Sequence, residues 1–428
     1  WNIRYEFNQS DLSACAQFLQ NHVTDMDQRK VPEPTWLTVR YMVSSIQYGG
    51  RITDDFDQLL MDVYAELYFR REVMEKNFEL FPGYKVPDSN EIGFFRAEIE
   101  KLPMGESPEI YGLHPNADLS FRKLQVNEAV ATIMDTMPKA GGGGGGMSRE
   151  EVVDKICEDL LTKVPKAFGT EDTKDKLKKL KGGPTQPLTV FLRQEIDRLN
   201  VVINLATKSF KNLRLAIAGT IALSGDLVEA LDALFDAKVP PAWLKKSWES
   251  GTFGAWFTGL LQRYDQLHKW LNNDRPKGYW LTGWFNPQGF LTAMKQEVNR
   301  RHTADKWALD DVVMTAEVTH PPKEFETLKE APQEGVYVYG LFLDGCAWSG
   351  KENRLVDSEP KKLFTPLPVL YVTGCLAKDK KKEGTYAAPA YRIKKRTGLN
   401  YIAMFDLRTE DPPSKWIMRG VALLCTID

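Results

Sequence analysis

Two long stretches of the chain repeat apolar residues at alternating spacings of three and four. The first keeps this spacing for more than three seven-residue repeats, and the second is shorter. Such spacing predicts amphipathic helices whose apolar stripe is buried. We interpret both stripes as packed faces of antiparallel helices rather than as an intermolecular coiled coil. The stripes are Leu192, Ile196, Leu199, Ile203, Ala206, Phe210, Leu213 and Ile217, and then Phe253, Trp256, Leu260, Tyr264, Leu267 and Leu271.

Start and stop signals predict further helices around these two. The segment Ser148-Arg-Glu-Glu151 is a capping box, and Asn286-Pro287 combines a cap with a first-turn proline. The pair Pro240-Pro241 ends the helix that carries Leu227, Leu231 and Leu234. The lysine run 174–181 is interpreted as a solvated helix face, with an acidic partner as the alternative. Residues 148–310 are therefore predicted to be helical.

The N-terminal 140 residues predict a separate helical region. Thr53 is the expected cap of a helix with Asp54 and Asp55 in its first turn, where negative charge suits the dipole. Gly49-Gly50 is expected to end the preceding helix, which runs from Trp36 to Ile46. One face of the helix after Thr53 is apolar, with Phe56, Leu60, Val63 and Leu67 at spacings of four, three and four. An unbroken glycine run at 141–146 predicts a flexible linker, 141–147, and a domain boundary.

The pattern changes to a period of two near residue 311. Alternation from Val312 to Thr319 predicts the first strand of a β-region. Turn signals then separate the further predicted strands, which are Val336 to Leu343, Val369 to Thr373, Tyr386 to Ile393, Leu399 to Leu407 and Trp416 to Ile427. Six short strands in this space predict a small antiparallel barrel or sandwich over residues 311–428.

Composition and charge exclude several classes of function. Hydrophobic residues make up 43% and charged residues 27% of 428 residues, which is typical of globular protein, and the net charge is −2. Without a long basic stripe, nucleic-acid binding has no electrostatic support. The sequence contains no run of 18 apolar residues, so no membrane span is predicted. Five scattered cysteines indicate buried thiols in a reducing compartment. The chain begins at Trp1 rather than methionine, which suggests a segment of a longer polypeptide.

The sequence contains no catalytic or metal-ligating constellation, so no catalytic, cofactor-binding or metal residue is predicted. The five histidines, His22, His114, His268, His302 and His320, are scattered and form no ligand motif. No GxSxG elbow is present. Cys346 and Cys375 lack a histidine at a characteristic spacing and are interpreted as buried thiols. The acidic group of Asp54, Asp55 and Asp57 is interpreted as helix capping rather than as a carboxylate site.

One segment comes close to a phosphate-binding loop. Residues Gly345 to Lys351 match GxxxxGK, but Glu352 stands where a magnesium-binding Ser or Thr is required. The residues that follow, Lys351 to Pro360, show no helical periodicity. We therefore predict a hairpin turn at Asp344-Gly345. An enzyme that binds nucleotide through this segment remains a competing hypothesis.

Six segments resemble successive parts of the C-terminal region of dynein heavy chains. Together they span nearly the whole sequence in the family order. The form of Asn286-Pro287, Asn400 to Ala403 and His114-Pro115-Asn116 is most similar to axonemal outer-arm heavy chains of the gamma type. The glycine run departs from the family pattern. The six segments are Tyr48 to Asp57, Tyr111 to Asp118, Phe191 to Leu199, Trp280 to Thr292, Gly335 to Leu343 and Trp416 to Cys425.

The resemblance implies an α+β multidomain fold. Residues 1–140 would be the helical lid of the sixth AAA+ module, 148–310 a helix bundle, and 311–428 a small antiparallel β-barrel. It also implies that ATP and magnesium bind in upstream AAA+ modules, that microtubules bind at an absent stalk, and that the protein lies in the dynein arm of the axoneme, in the cytoplasmic compartment of a cilium or flagellum. The implied partners are the rest of the AAA+ ring and the intermediate and light chains.

The resulting hypothesis is a non-catalytic role in a microtubule motor. A domain that contacts several ring modules can bias their equilibrium by its differential contact energy. Residues 147–428 are accordingly expected to stiffen the ring and to modulate force, processivity or the coupling of ATP hydrolysis to movement. The alternative is an adaptor module that docks dynein light or intermediate chains.

Overall fold

The computed structural model describes residues 1–427 apart from 82, 103, 106, 137–146, 274 and 381–382. Within these residues the chain forms two compact units, which are described separately. The first unit comprises Trp1–Ala129, Phe342–Pro366 and Lys382–Ile427, and the second comprises Val130–Leu341 and Leu367–Lys381. Each unit combines helices with sheet, so the predicted mixture of helical and β-structure is confirmed.

The helices of the first unit come mostly from the N-terminal residues. The apolar face predicted after Thr53 is confirmed, because Val63 is buried and Phe56, Leu60 and Leu67 are half-buried. The helix before it begins at Trp36 as predicted but changes to π-helical hydrogen bonding at Met42–Gln47. The helices are α1 Gln9–Gln28, α2 Trp36–Tyr41, α3 Asp55–Tyr68, α4 Ile92–Lys101, α5 Asn116–Thr136, which continues into the second unit, and α13 Pro413–Met418.

The strands in the described part of the first unit form three sheets. A hairpin of β1 Glu79–Phe81 and β2 Tyr84–Lys85 lies among the N-terminal helices. A second hairpin pairs β7 Ala347–Ser349 with β8 Arg354–Val356. The largest sheet has the order β12-β11-β13-β6-β9. Its strands are β6 Phe342–Asp344, β9 Phe364–Pro366, β11 Thr385–Tyr391, β12 Tyr401–Arg408 and β13 Ala422–Leu424.

The second unit is built around the long helix α8, which carries the first apolar stripe. All members of that stripe are buried except Ile217, which is half-buried, and α8 packs against α6, α11 and α12. The stripe is therefore covered within the chain, as expected for packed helices. The helices are α6 Arg149–Lys163, α7 Thr170–Lys179, α8 Pro187–Ile217, α9 Gly225–Phe235, α10 Pro241–Leu244, α11 Phe253–Asn273 and α12 Pro287–Arg301.

Hydrogen bonds and ion pairs in the second unit confirm the predicted helix caps and the predicted solvated helix face. The Ser148 hydroxyl accepts the Glu151 N–H, and the Glu151 carboxylate accepts the Ser148 N–H. The Asn286 side chain accepts the Gly289 N–H at 3.0 Å. In α7, ion pairs within the helix neutralise lysines of the run 174–181, as expected for a solvated face; they join Lys174 to Glu171, Lys176 to Asp172 and Lys178 to Asp175.

The sheet of the second unit has the order β3-β5-β10-β4. Its strands are β3 Tyr279–Trp280, β4 Val312–Val318, β5 Val336–Tyr339 and β10 Leu370–Leu376. Strand β3 lies within residues 148–310, which were predicted to be helical, and pairs with β5 in parallel. Strand β4 pairs with β10 in an antiparallel register, with Thr315 opposite Thr373.

The predicted antiparallel barrel is wrong. Among the described residues no sheet closes on itself, and the C-terminal strands divide between an open four-stranded and an open five-stranded sheet. Two pairings, β3 with β5 and β11 with β13, are parallel. Alternation in a sequence reports which face of a strand is buried, whereas the choice of neighbouring strand depends on contacts far along the chain.

Two predicted strands also differ from the structure. The segment Val336 to Leu343 divides into β5 and β6 at Gly340, whose φ of +87° breaks the extended backbone. The segment Trp416 to Ile427 begins as helix α13, because Pro413 occupies a first-turn position that suits proline. Only β13 within that segment is extended. Residues 141–146 of the predicted linker lie outside the described residues.

Candidate functional site

The N-terminal helices of the first unit contact its C-terminal sheet through the segment Tyr48 to Asp57. Asp54, rather than the predicted Thr53, caps α3, since its carboxylate accepts the N–H groups of Phe56 and Asp57. The Thr53 N–H instead donates to the Tyr5 hydroxyl at 3.3 Å. The capping interpretation of this acidic group is therefore confirmed for Asp54, one residue later than expected.

Asp57 holds the first residues of the chain. Its side chain is 2% exposed and accepts the N–H groups of Asn2 and Ile3 at 2.6 and 2.9 Å. The Asn2 amide donates to Asp54 at 3.2 Å and to the Tyr391 hydroxyl at 3.0 Å. Burial raises the pKa of Tyr391 to about 12, so its phenol stays neutral at physiological pH. This series of hydrogen bonds joins α3 to β11.

Three aromatic rings extend the same contact. The ring of Phe56, in the first turn of α3, lies 6.3 Å from Tyr391 and 5.8 Å from Tyr401, measured between ring centroids. The two tyrosine rings are 6.0 Å apart and meet edge to face. Aromatic pairs at such separations add to the free energy gained from apolar burial. The predicted apolar face of α3 thus begins at the surface of the sheet.

Asn116 makes a second contact between the same parts of the chain. Its side chain is 8% exposed, and its amide donates to the carbonyl oxygens of Glu359 and Lys362 at 2.9 and 3.1 Å. Its side-chain oxygen accepts the Lys361 N–H at 2.7 Å. Lys361 has a φ of +70°, which is uncommon for a residue with a side chain. One amide at the start of α5 therefore holds the turn between β8 and β9.

The residues before Asn116 shape this contact. Gly112 has a φ of +70°, and a Cβ added there would lie 3.0 Å from the side chain of Met418 in α13. The Asn116 N–H donates to His114 Nδ1 at 3.1 Å. The segment Tyr111 to Asp118, chosen by resemblance, is therefore also a contact segment for the C-terminal residues.

Two other segments chosen by resemblance meet in the second unit. Glu195 of α8 is 1% exposed, and its carboxylate accepts the N–H groups of Phe285 and Asn286 at 2.6 and 3.2 Å. The negative charge lies beside the N-terminus of α12, where the helix dipole stabilises it. Arg300 near the end of α12 donates to the Thr185 carbonyl oxygen just before α8. These contacts make α8 and α12 antiparallel neighbours.

The near match to a phosphate-binding loop forms a β-hairpin. Residues 347–349 pair with Arg354–Val356, and the Glu352 N–H donates to the Ser349 hydroxyl at 3.1 Å. The Glu352 carboxylate pairs with Arg354 at 2.6 Å. The hairpin predicted at Asp344-Gly345 is wrong, because β6 pairs with β9 and β13 rather than with β7. The hairpin lies one strand later, between β7 and β8, and Gly345 has a φ of +81°. A strand without a following helix does not provide the geometry of a P-loop.

The part of the chain that the structure describes offers little other candidate chemistry. No group of three or more His, Cys, Asp or Glu side chains there could hold a metal ion. Cys346 is buried as predicted, and burial raises the pKa of its thiol, whereas Cys375 is half-buried. Among the same residues, none of the helices has the length and apolar character needed to cross a bilayer.

The sequence pointed to the N-terminal residues of the contact in the first unit but not to their partners. The segments containing Asp54 and Asn116 were identified by resemblance, without their partners. Nothing in the local pattern distinguishes Asn2, Tyr391 or Tyr401 from other polar or aromatic residues. Tyr391 lies 389 residues from Asn2 in the sequence, and no local signal extends over that distance.

Comparison with known proteins identifies two family domains in the chain. Residues 1–117 match the family model of the AAA lid domain of dynein heavy chains, and residues 123–425 match the model of their C-terminal domain. Over its whole length the protein is 66% identical to the dynein gamma chain of the flagellar outer arm of Chlamydomonas reinhardtii, and 44% identical to dynein axonemal heavy chain 5 of Mus musculus. It spans about a tenth of the length of these relatives, 10% and 9% respectively.

An AAA lid domain followed by a C-terminal domain defines a class, the C-terminal region of a heavy chain with AAA modules. The chain belongs to the dynein heavy chain family. The resemblance to axonemal outer-arm heavy chains, drawn from its motifs, is thereby confirmed.

Proposed function

We propose that this chain is the C-terminal region of an axonemal dynein heavy chain and works in the motor without chemistry of its own. It would lie in the dynein arm of a cilium or flagellum, as the names of its relatives indicate. ATP and magnesium would bind in other AAA+ modules of the same heavy chain. The activity assigned here is to transmit and bias movements of the ring that drive motion along microtubules.

One observation carries this proposal: lid residues and C-terminal strands belong to one compact unit. Asn2, whose N–H is held by Asp57, donates to the Tyr391 hydroxyl, and Asn116 bonds the backbone of residues 359–362. These partly buried hydrogen bonds join the lid to residues 342–366 and 382–427. A change in the orientation of the lid would therefore move the C-terminal sheet with it. Ring motors cycle between discrete arrangements of their modules, and a domain that is attached to a moving lid biases those arrangements.

The test is a heavy chain that carries Asn116→Ala, compared with one that carries Asn90→Ala. Asn90 is exposed, belongs to the same unit and has no hydrogen bond of its side chain among the described residues. We expect Asn116→Ala to change microtubule gliding velocity or the ATP hydrolysed per distance moved, while ATP still binds. Thermal melting of both motors would show that they are folded at the assay temperature. Equal velocity and equal ATP use in both variants would contradict the proposal.

The rest of the ring remains a predicted partner, as do the light and intermediate chains. A pull-down of light and intermediate chains that depends on this region would instead favour the adaptor role.

A further inference from the structure

His302, which directly follows helix α12, has a carboxylate at each of its two ring nitrogens. Its Nδ1 lies 2.8 Å from Asp305 Oδ2, and its Nε2 lies 2.8 Å from Glu334 Oε1, in the turn before β5. Its ring also lies flat on the indole of Trp307, with ring centroids 3.9 Å apart and an angle of 10° between the ring planes. All four residues belong to the second unit. The proposed motor function leaves this cluster unexplained.

Two carboxylates around one imidazole select its charged form. A neutral imidazole has one N–H, so it donates to one carboxylate and turns a lone pair toward the other, whereas an imidazolium donates to both. The stacked indole also favours the charged ring, since a cation is attracted to the face of an aromatic ring. The hydrogen bonds to Asp305 and then to Glu334 raise the pKa of His302 above its ordinary value of 6.5, although desolvation opposes them.

The neighbouring ionisable groups do not change their charge near neutral pH. On the helix side, Arg301 pairs with Glu297, which also pairs with Arg275. On the sheet side, burial raises the pKa of Tyr371, so its phenol stays neutral and donates to the Glu334 carbonyl oxygen at 2.9 Å. Histidine is the side chain that titrates in this range, so the imidazole sets the charge of the cluster.

The turn that carries Glu334 is fixed to the sheet. Gly335 has a φ of +72°, and a Cβ added there would lie 2.4 Å from the Val372 carbonyl oxygen of β10. The Tyr371 hydroxyl, on the same strand, holds the backbone of Glu334 as described above. The Glu334 carboxylate is therefore presented to the imidazole from a firm support.

The loop after His302 has few other attachments. Among residues 303–311 only Trp307 is half-buried, and the others are exposed. Its backbone hydrogen bonds are local, since the N–H groups of Asp305 and Trp307 both donate to the His302 carbonyl oxygen, at 3.0 and 3.4 Å. Lys306 has a φ of +58°, which is uncommon for a residue with a side chain. A segment with so few buried contacts opens at a low free energy.

The loss of the proton leaves the ring with one N–H for two carboxylates. Asp305 is three residues from His302, whereas Glu334 is 32 residues away. The nearer partner closes a shorter loop and costs less conformational entropy to keep. The neutral ring therefore keeps Asp305 and gives up Glu334.

We propose that His302 is a proton-operated clasp, whose charged ring ties the loop 303–311 to the turn at Glu334 and whose neutral ring releases it. This loop leads into β4, so the clasp makes the approach to the sheet of the second unit firm at acid pH and loose at alkaline pH. The inference does not depend on the role in ring coupling, since it requires only the second unit.

Hydrogen exchange of the 428-residue protein, measured from about pH 6 to about pH 9, tests the proposal once each rate is divided by the intrinsic rate at that pH. We expect protection in peptides covering 303–311 and 333–335 to fall about three- to tenfold as the pH rises through the pKa of His302. That is the loss expected for one charge-assisted hydrogen bond, about threefold to tenfold, at a partly exposed site. NMR of isotopically labelled histidine gives this pKa in the same samples.

Matched variants separate the clasp from the fold. His302→Gln carries no charge, so both segments should show the low protection at every pH. Glu334→Gln should remove the pH step, leave the contact with Asp305, and bring the pKa of His302 closer to its ordinary value. The Glu334 side chain is partly exposed, so this variant tests the contact even where His302→Gln lowers stability. His268→Gln, which removes an exposed ring stacked on Tyr264 in the same unit, should leave the step unchanged.

Three results would overturn the proposal. A pH step that persists in His302→Gln would place the titrating group elsewhere. Titration of His302 without any change in protection would show that its charge fastens nothing. A step of wild-type size in Glu334→Gln would show that Glu334 is not the partner that the neutral ring releases.

Discussion

Replacing Asn116 by alanine tests the contact on which the proposed coupling depends. The substitution removes three hydrogen bonds, two donated to carbonyl oxygens of Glu359 and Lys362 and one accepted from the Lys361 N–H. It adds no bulk, and it leaves α5 with the same backbone. The expected effect is therefore confined to the attachment of the turn between β8 and β9.

The loss of stability depends on whether the three backbone groups find another hydrogen-bond partner once the Asn116 amide is removed. A hydrogen bond contributes about 0.5–1.5 kcal/mol net, and a buried group left without a partner costs about 1–3 kcal/mol. Residues 359, 361 and 362 are exposed, so water can replace part of what the amide supplied. We expect a loss of about 2–3 kcal/mol for the first unit, a decrease in its melting temperature of about 5–10 °C.

Differential scanning calorimetry of the wild-type protein, Asn116→Ala and Asn90→Ala measures this loss. Hydrogen exchange adds a local readout, because the Lys361 amide should exchange faster only in the Asn116 variant. The reasoning is refuted if Asn116→Ala melts within about 1 °C of Asn90→Ala, or if exchange at Lys361 does not change.

Three further predictions concern the second unit. Glu195→Ala should lower its stability by about 1–3 kcal/mol in urea denaturation, since it leaves two partly buried N–H groups at α12 without this partner; a loss below about 0.5 kcal/mol, the range of an ordinary surface substitution, would contradict this. The pKa of His302 should lie above its ordinary value of 6.5 in NMR titration, because Asp305 and then Glu334 hydrogen-bond its ring, each at 2.8 Å. Its stabilising effect should be complete below pH 6.5 and lost as the pH rises through the raised value; a titration at or below 6.5 would show that the two carboxylates do not act. Burial raises the pKa of Cys157 to about 12, so iodoacetamide should label it only after unfolding, as mass spectrometry of peptides would show, and rapid native labelling would contradict its burial.

Helix prediction succeeded in the second unit because the relevant information is local. The stripe from Leu192 to Leu213 fixes which face of α8 is buried, and the caps at Ser148 and Asn286 fix where helices begin. These signals act over about three to seven residues, so they can be recognised without knowing what the helix packs against.

Strand pairing could not be obtained in the same way. Alternation identified β4, β11 and β12, but the barrel predicted from them is wrong. Strand β3 joins β5 across more than fifty residues, and β13 inserts between β11 and β6. Short strands such as β7, β8 and β9 contain too few residues to show a period.

The sequence by itself determined the helical stripes, the caps at Ser148 and Asn286, and the family to which the chain belongs. Those properties depend on residues that are neighbours in the sequence. The family resemblance depends in the same way on short segments of consecutive residues. Tertiary structure alone decided that Asp57 holds Asn2, that Asn116 holds the turn at Lys361, and that Phe56 meets Tyr391 and Tyr401. These contacts join residues that lie tens to hundreds of positions apart, and their geometry exists only after the protein has folded.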